Sequence, residues 1–202
     1  MEIVLVRHAL PLRVDAAPDG RPADPALSER GHEQAQRIVE ALRHDPITAL
    51  VTSPSRRARE TAAPLAAALG LPLTVEEGVA EFDSLDPTYV PVEELRATND
   101  PRWQALLKGD LYSFVIDPVA FRARVVAAVE RIAAEHPGGR VVVFSHSGTI
   151  NAWAGHVLGQ ERPIWFAPDY CSLNRFAAAA SGRRGVLSLN DTGHVRDLLH
   201  RG

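Results

Sequence analysis

Cysteine is almost absent from this 202-residue chain, where Cys171 stands alone. One thiol excludes an internal disulfide framework and a thiolate cluster for zinc. Set between Tyr170 and Ser172-Leu173, it reads as a small core residue. Long apolar runs are missing too. No stretch reaches bilayer-spanning length, and the apolar segment after Glu2 is too short for a signal peptide. The expectation is a cytoplasmic protein with no membrane partner. Nor is one charge in excess: the net value is −3, and basic residues are scattered apart from Arg56-Arg57-Ala58-Arg59 and Arg183-Arg184. That argues against nucleic acid as a partner. Any affinity for an anion has to be local, built from a few arginines in one pocket.

Aromatic residues make up only 6% of the chain, and Trp153, Trp165 and Phe166 are assigned to the core rather than to a dimer interface. Oligomeric state is otherwise open. What is there, 46% hydrophobic and 23% charged residues, suffices for one substantial core. No repeat, linker or break in composition appears, so residues 1–202 read as a single domain.

Strand and helix patterns alternate. Residues 2–6 form a continuous apolar strand of the kind buried on both faces. A loop rich in Pro, Asp, Gly and Ala covers 11–25. Ser28 then caps a helix whose apolar stripe is Ala35, Ile38, Val39 and Leu42. Strand 47–52 ends in Ser53-Pro54, and a helix from 56 to 69 is stopped by Gly70 and Pro72. Residues 71–75 are strand-like and lead to Glu81. Alternation fails over 82–120, which reads as a cap-like insertion with one amphipathic stretch at 94–107. A periodic helix at 121–136, a strand at 140–144 and a helix holding Ile150, Trp153 and Val157 follow. Strands at 172–178 and 185–189 flank Ser181-Gly182 as a hairpin. The pattern predicts a three-layer α/β/α fold with a mostly parallel central sheet.

Three of these buried strands deliver chemistry at their carboxyl ends: Arg7-His8, then Ser53 with Arg57 one turn on, then Ser145-His146. In a parallel sheet these ends share one edge, where ligands are handled. Singly, each has a structural explanation: Arg57 as a solvated face residue, His146 as a satisfied buried histidine, Glu81 as a loop carboxylate. Together, two imidazoles, two guanidiniums and the N-termini of helices make an oxyanion site, with phosphoryl as the best fit.

The same segments carry a resemblance. Leu5-Val6-Arg7-His8-Ala9 resembles the Arg-His-Gly signature of the histidine phosphatase superfamily, whose fold is shared with cofactor-dependent phosphoglycerate mutase. Residues 27–35, residues 52–62 and Phe144-Ser145-His146-Ser147-Gly148 are similar to three further motifs of that family, in family order. The resemblance implies a phosphomonoester hydrolase acting on a small phosphorylated metabolite. His8 would be the nucleophile and form a phosphohistidine. Arg7, Arg57 and His146, with Ser147, would hold the phosphoryl oxygens. Glu81 would be the acid and then the base, with Asp83 and Asp86 as alternatives. No metal and no other cofactor is expected, because arginines supply the charge.

Three departures stand out. Ala9 replaces the usual glycine, adding a methyl group where the backbone is expected to pass the phosphate. The family's asparagine after the first histidine is missing, leaving Arg13 as its stand-in, and Ser147 replaces a common glycine. Two alternatives stay open: a phosphoglycerate mutase-type phosphotransferase, and a catalytically silent member that binds a phosphorylated ligand. The segment after Glu81 lacks the arginine-rich stretch of such mutases, having only Arg96, Arg102 and Lys108. A Ser-His-Asp hydrolase is disfavoured, because no glycine lies two residues either side of Ser147.

Overall fold

Ile3, Val4, Leu5 and Val6 expose no surface at all, which only a strand covered on both faces can achieve. The computed structural model describes residues 1–108 and 117–199, with the backbone alone at Asp19. In chain order it forms β1 (Glu2–Arg7), α1 (Glu29–Leu42), β2 (Ala49–Thr52), α2 (Arg56–Leu69) and β3 (Leu73–Val75). Then come α3 (Val92–Ala97), α4 (Pro101–Lys108), α5 (Pro118–Glu135), β4 (Arg140–Ser145), α6 (Ser147–Leu158), β5 (Leu173–Ala178) and β6 (Arg184–Asp191). The six strands lie in the order β3-β2-β4-β1-β5-β6. β1, β2, β3 and β4 run parallel; on one side β5 pairs antiparallel to β1, and β6 antiparallel to β5.

Side chains alternate across the strands, and this sorts the core into two halves. Ile3, Leu5, Val141 and Val143 pack with Val125, Val129 and Ile132 of α5 and Ile150 and Trp153 of α6. Val4, Val6, Val142 and Phe144 face the other way, onto Ile38 and Leu42 of α1 and Leu65 of α2. The three-layer α/β/α arrangement with a mostly parallel sheet follows directly. Trp153 is fully buried, and Cys171 is a buried core residue. No helix among the described residues is long and apolar enough to cross a membrane.

Strands β2 and β3 each begin two residues later than expected and β6 is longer, and two larger differences stand out. The helix expected from Phe121 begins at Pro118, where the Asp117 carboxylate accepts the Val119 N–H at 2.8 Å; the Asp-Pro start signal was there to be used. The amphipathic stretch at 94–107 falls on two helices. The break falls at Asn99, whose φ of 51° is a left-handed conformation that asparagine tolerates. Residues 109–116 of the expected insertion lie outside the described residues. The loop at 11–25 is tied to the insertion by paired Val14 and Tyr89 backbone hydrogen bonds, both 2.8 Å.

Candidate active site

The parallel ladder sets the ends of β1, β4 and β2 side by side, with Arg7 opposite Ser145 and Thr52 opposite Phe144. One residue further on, the His8 N–H donates to the Ser145 carbonyl and the Ser53 N–H to the Phe144 carbonyl, each at 2.9 Å. His8, Ser53 and His146 are thereby neighbours, and the His8 and His146 rings lie 5.1 Å apart.

His8 Nδ1 meets the Ala9 carbonyl oxygen at 2.8 Å. A carbonyl only accepts, so this contact puts the ring proton on Nδ1 and leaves the Nε2 lone pair free. Burial, then Arg57 and Arg7, hold His8 well below the ordinary histidine range, so the ring is neutral at neutral pH. His146 is shifted the same way, by burial first. Its Nε2 meets Ser53 Oγ at 2.7 Å, and its Nδ1 has no hydrogen-bond partner.

The guanidiniums flank the pair. Arg7 donates to the Pro168 carbonyl at 2.7 Å and lies 3.7 Å above the Tyr170 ring, with Glu93 at 3.5 Å. Arg57 pairs with Asp83 at 2.9 Å and sits over the Tyr89 ring. Burial opposes its charge, but Asp83, Tyr89 and Glu81 more than offset that. Glu81 closes the site. Its two oxygens accept the Phe82 N–H at 3.1 Å and the Gly148 N–H at 2.8 Å. Burial, and then the neighbouring Asp83 charge, raise its carboxyl to about 7. Such a group gives up or takes a proton near neutrality.

Arg7, His8, Arg57, Glu81 and Ser147 line one cavity of about 210 Å³. Ser147 is the first residue of α6, at the positive end of that helix. His146 lies fully buried behind this surface, against His8. Asp83 is engaged with Arg57, and Asp86 accepts both the Thr88 N–H and hydroxyl at 2.8 Å. Among the described residues no group of three or more His, Cys, Asp or Glu is arranged to hold a metal ion.

Three expectations need correction. Arg13 does not reach the cavity; it is half-exposed and bound to Asp15 and Glu94 at 2.6 and 2.9 Å. The Ala9 methyl does not face the cavity, because it is buried in the core half that contains Val6 and Leu27. Trp165 and Phe166 are not core residues but half-buried ones that line the cavity.

Several supporting residues escaped the sequence reading. Arg124 donates to the carbonyls of Glu77, Gly78 and Ala80, fixing the segment that leads into Glu81. Tyr170 and Tyr89 floor the two arginines; Ser53, which the sequence did place at the end of β2, orients His146. These contacts join residues far apart in the chain and carry no local spacing signal. The motif segments did contain one readable support. Gln34 accepts the Leu10 N–H and Thr61 accepts the Ala9 N–H, both at 2.9 Å, so α1 and α2 hold the loop after His8.

Comparison with known proteins finds relatives over nearly the whole chain. The phosphoserine phosphatase 1 of Hydrogenobacter thermophilus is 28% identical over 209 residues, covering 96% of this chain and 94% of that protein. The structure of an Entamoeba histolytica phosphoserine phosphatase in complex with phosphoserine superposes with a TM-score of 0.74 at 18% identity, over 96% of this chain and 98% of that one. A phosphoglycerate mutase from Bacillus anthracis superposes with a TM-score of 0.74 at 19% identity, over 98% of this chain and 96% of that one. A family model matches residues 3–192. With that match over nearly the whole chain, the protein belongs to branch 1 of the histidine phosphatase superfamily.

Proposed function

We propose that this chain hydrolyses a phosphomonoester through a phosphohistidine on His8, without a metal ion. The observation that carries the reading is the pairing, in one cavity, of a neutral His8 with a Glu81 carboxyl that titrates at about 7. Nε2 of His8 attacks phosphorus as the bond to the leaving oxygen breaks, and the Glu81 proton goes to that oxygen. The resulting Glu81 carboxylate takes a proton from water. The water oxygen then bonds to phosphorus, the N–P bond breaks, and inorganic phosphate leaves with His8 and Glu81 restored. Arg7 and Arg57 keep unused N–H groups for the equatorial oxygens, and His146 Nδ1 is the second imidazole's unbonded nitrogen.

The test is phosphate release from simple phosphomonoesters in the presence of a chelator. Release at an undiminished rate is expected. Loss of activity on chelation, restored by a divalent cation, would overturn the metal-independent mechanism. Incubation with 3-phosphoglycerate and its bisphosphate primer addresses the mutase. Efficient isomerisation with little phosphate release would overturn the hydrolase reading, and so would phosphate binding with no turnover of any ester.

A further inference from the structure

Beyond the phosphoryl contacts the cavity changes character. Val92, Leu95, Trp103 and Leu106 of α3 and α4 form one wall, and Trp165 and Phe166 face it from the segment after α6. Leu95 and Leu106 are buried, and the Trp165 and Phe166 rings lie 4.5 Å apart. The second wall is held in place. Buried Asn151 accepts the Trp165 and Phe166 N–H groups at 2.9 and 3.2 Å. Its amide donates to the Phe166 carbonyl at 3.0 Å and to the Ser147 carbonyl at 2.9 Å. An apolar surface is thus tied to the residue that opens α6 at the phosphoryl position.

The polar groups in this outer part are already engaged. Arg102 makes two hydrogen bonds to Asp100, at 3.0 and 2.9 Å, and Asp86 and Thr88 satisfy each other. A serine or glycerate ester brings a carboxylate that needs a cation of its own. Of the four arginines that line the cavity, Arg162, exposed at its edge, is the one whose guanidinium has no hydrogen bond or ion pair among the described residues. From these walls, and resting on the hydrolase reading above, we propose that the preferred substrate is a phosphomonoester of an apolar alcohol, aryl or alkyl, seated between α3–α4 and Trp165-Phe166.

The experiment measures kcat/KM of the full chain for ethyl, butyl, hexyl and 1-naphthyl phosphate beside phosphoserine and 3-phosphoglycerate. The alkyl leaving groups are close in acidity, so the series reports burial. Expected is a rise of about threefold per added methylene up to hexyl phosphate, with both polar esters below it. Trp103→Ala and Leu106→Ala are each expected to lower hexyl phosphate turnover about tenfold more than ethyl phosphate turnover. A flat or falling series overturns the proposal. So does a tenfold preference for phosphoserine or 3-phosphoglycerate over hexyl phosphate, the more so if Arg162→Ala removes it. In both cases the esters are still hydrolysed and the hydrolase reading stands. Hydrolysis of none of the six overturns that reading itself. The series on the unaltered chain decides the matter even where a variant fails to fold.

Discussion

Glu81 sits in a buried position that disfavours its charged form, while two backbone N–H groups hold its oxygens in place. The result is a carboxyl poised at about 7, between proton donor and acceptor. Because the protonated form serves the first step, turnover of an alkyl ester should fall as pH rises through about 7. Glu81→Gln should cost roughly 10²- to 10³-fold in kcat with an alkyl ester and abolish that alkaline limb. It should cost less with an aryl ester whose leaving oxygen needs no proton. A pH–rate profile of both proteins checks this, and an unchanged limb in the variant would assign it to another group. At this scale the residues that meet at the cavity were legible and most of their supports were not. Arg7, His8, Arg57 and His146 are noticeable jointly, because cations and imidazoles gather at or just beyond the ends of three apolar strands, although each alone has a structural explanation. Tyr170, Tyr89, Arg124 and Asn151 look like any other loop or helix residue until the chain brings them round.

Among the elements, α1, α2 and α6 do more than cover the sheet. Gly31 of α1 lies so close to the Leu10 carbonyl that a methyl group there would overlap it. Gly148 of α6 is equally tight against Glu81 and the Phe82 ring. The two glycines therefore separate fold from chemistry. Gly31→Ala should destabilise the protein by about 1–3 kcal/mol through the overpacked α1 contact, read as a lower urea midpoint. Gly148→Ala should push Glu81 out of register and lower kcat at least tenfold with a smaller loss of stability. Equal effects of both on kcat and stability would contradict this division. The strands and the cores of the helices were legible because their apolar patterns have the period of the element. The cap was not: the one amphipathic stretch is divided into two helices at Asn99, where one residue in a left-handed conformation redirects the chain.

For the whole molecule, burying the site makes stability depend on pH in two opposed ways. His8 and His146 have native values below the ordinary 6.5, so the unfolded chain takes up protons that the native one refuses. Their contribution is complete above 6.5 and is lost as pH falls below it. Glu81 runs the other way: its contribution is complete below 4.5 and is lost as pH rises to about 7. The gap between urea midpoints at pH 7.5 and pH 5 should therefore narrow in His8→Gln and widen in Glu81→Gln. Movement of both variants in the same direction would show that these groups do not titrate as their burial requires. At this scale the layer order was legible from alternation of apolar strands and helices. The facing of the cap and the Trp165-Phe166 segment was not, because neither has a period that sets which face it turns inward.

A phosphoryl group carried on His8 is a covalent intermediate, and it can be trapped. The protein is mixed with a phosphomonoester in the presence of a chelator, quenched at alkaline pH where phosphohistidine survives, and the phosphoryl group is located by mass spectrometry of its peptides. The phosphoryl group is expected on His8, and a folded His8→Ala variant is expected to show neither label nor turnover. A label on another residue, or turnover unchanged in His8→Ala, would contradict this.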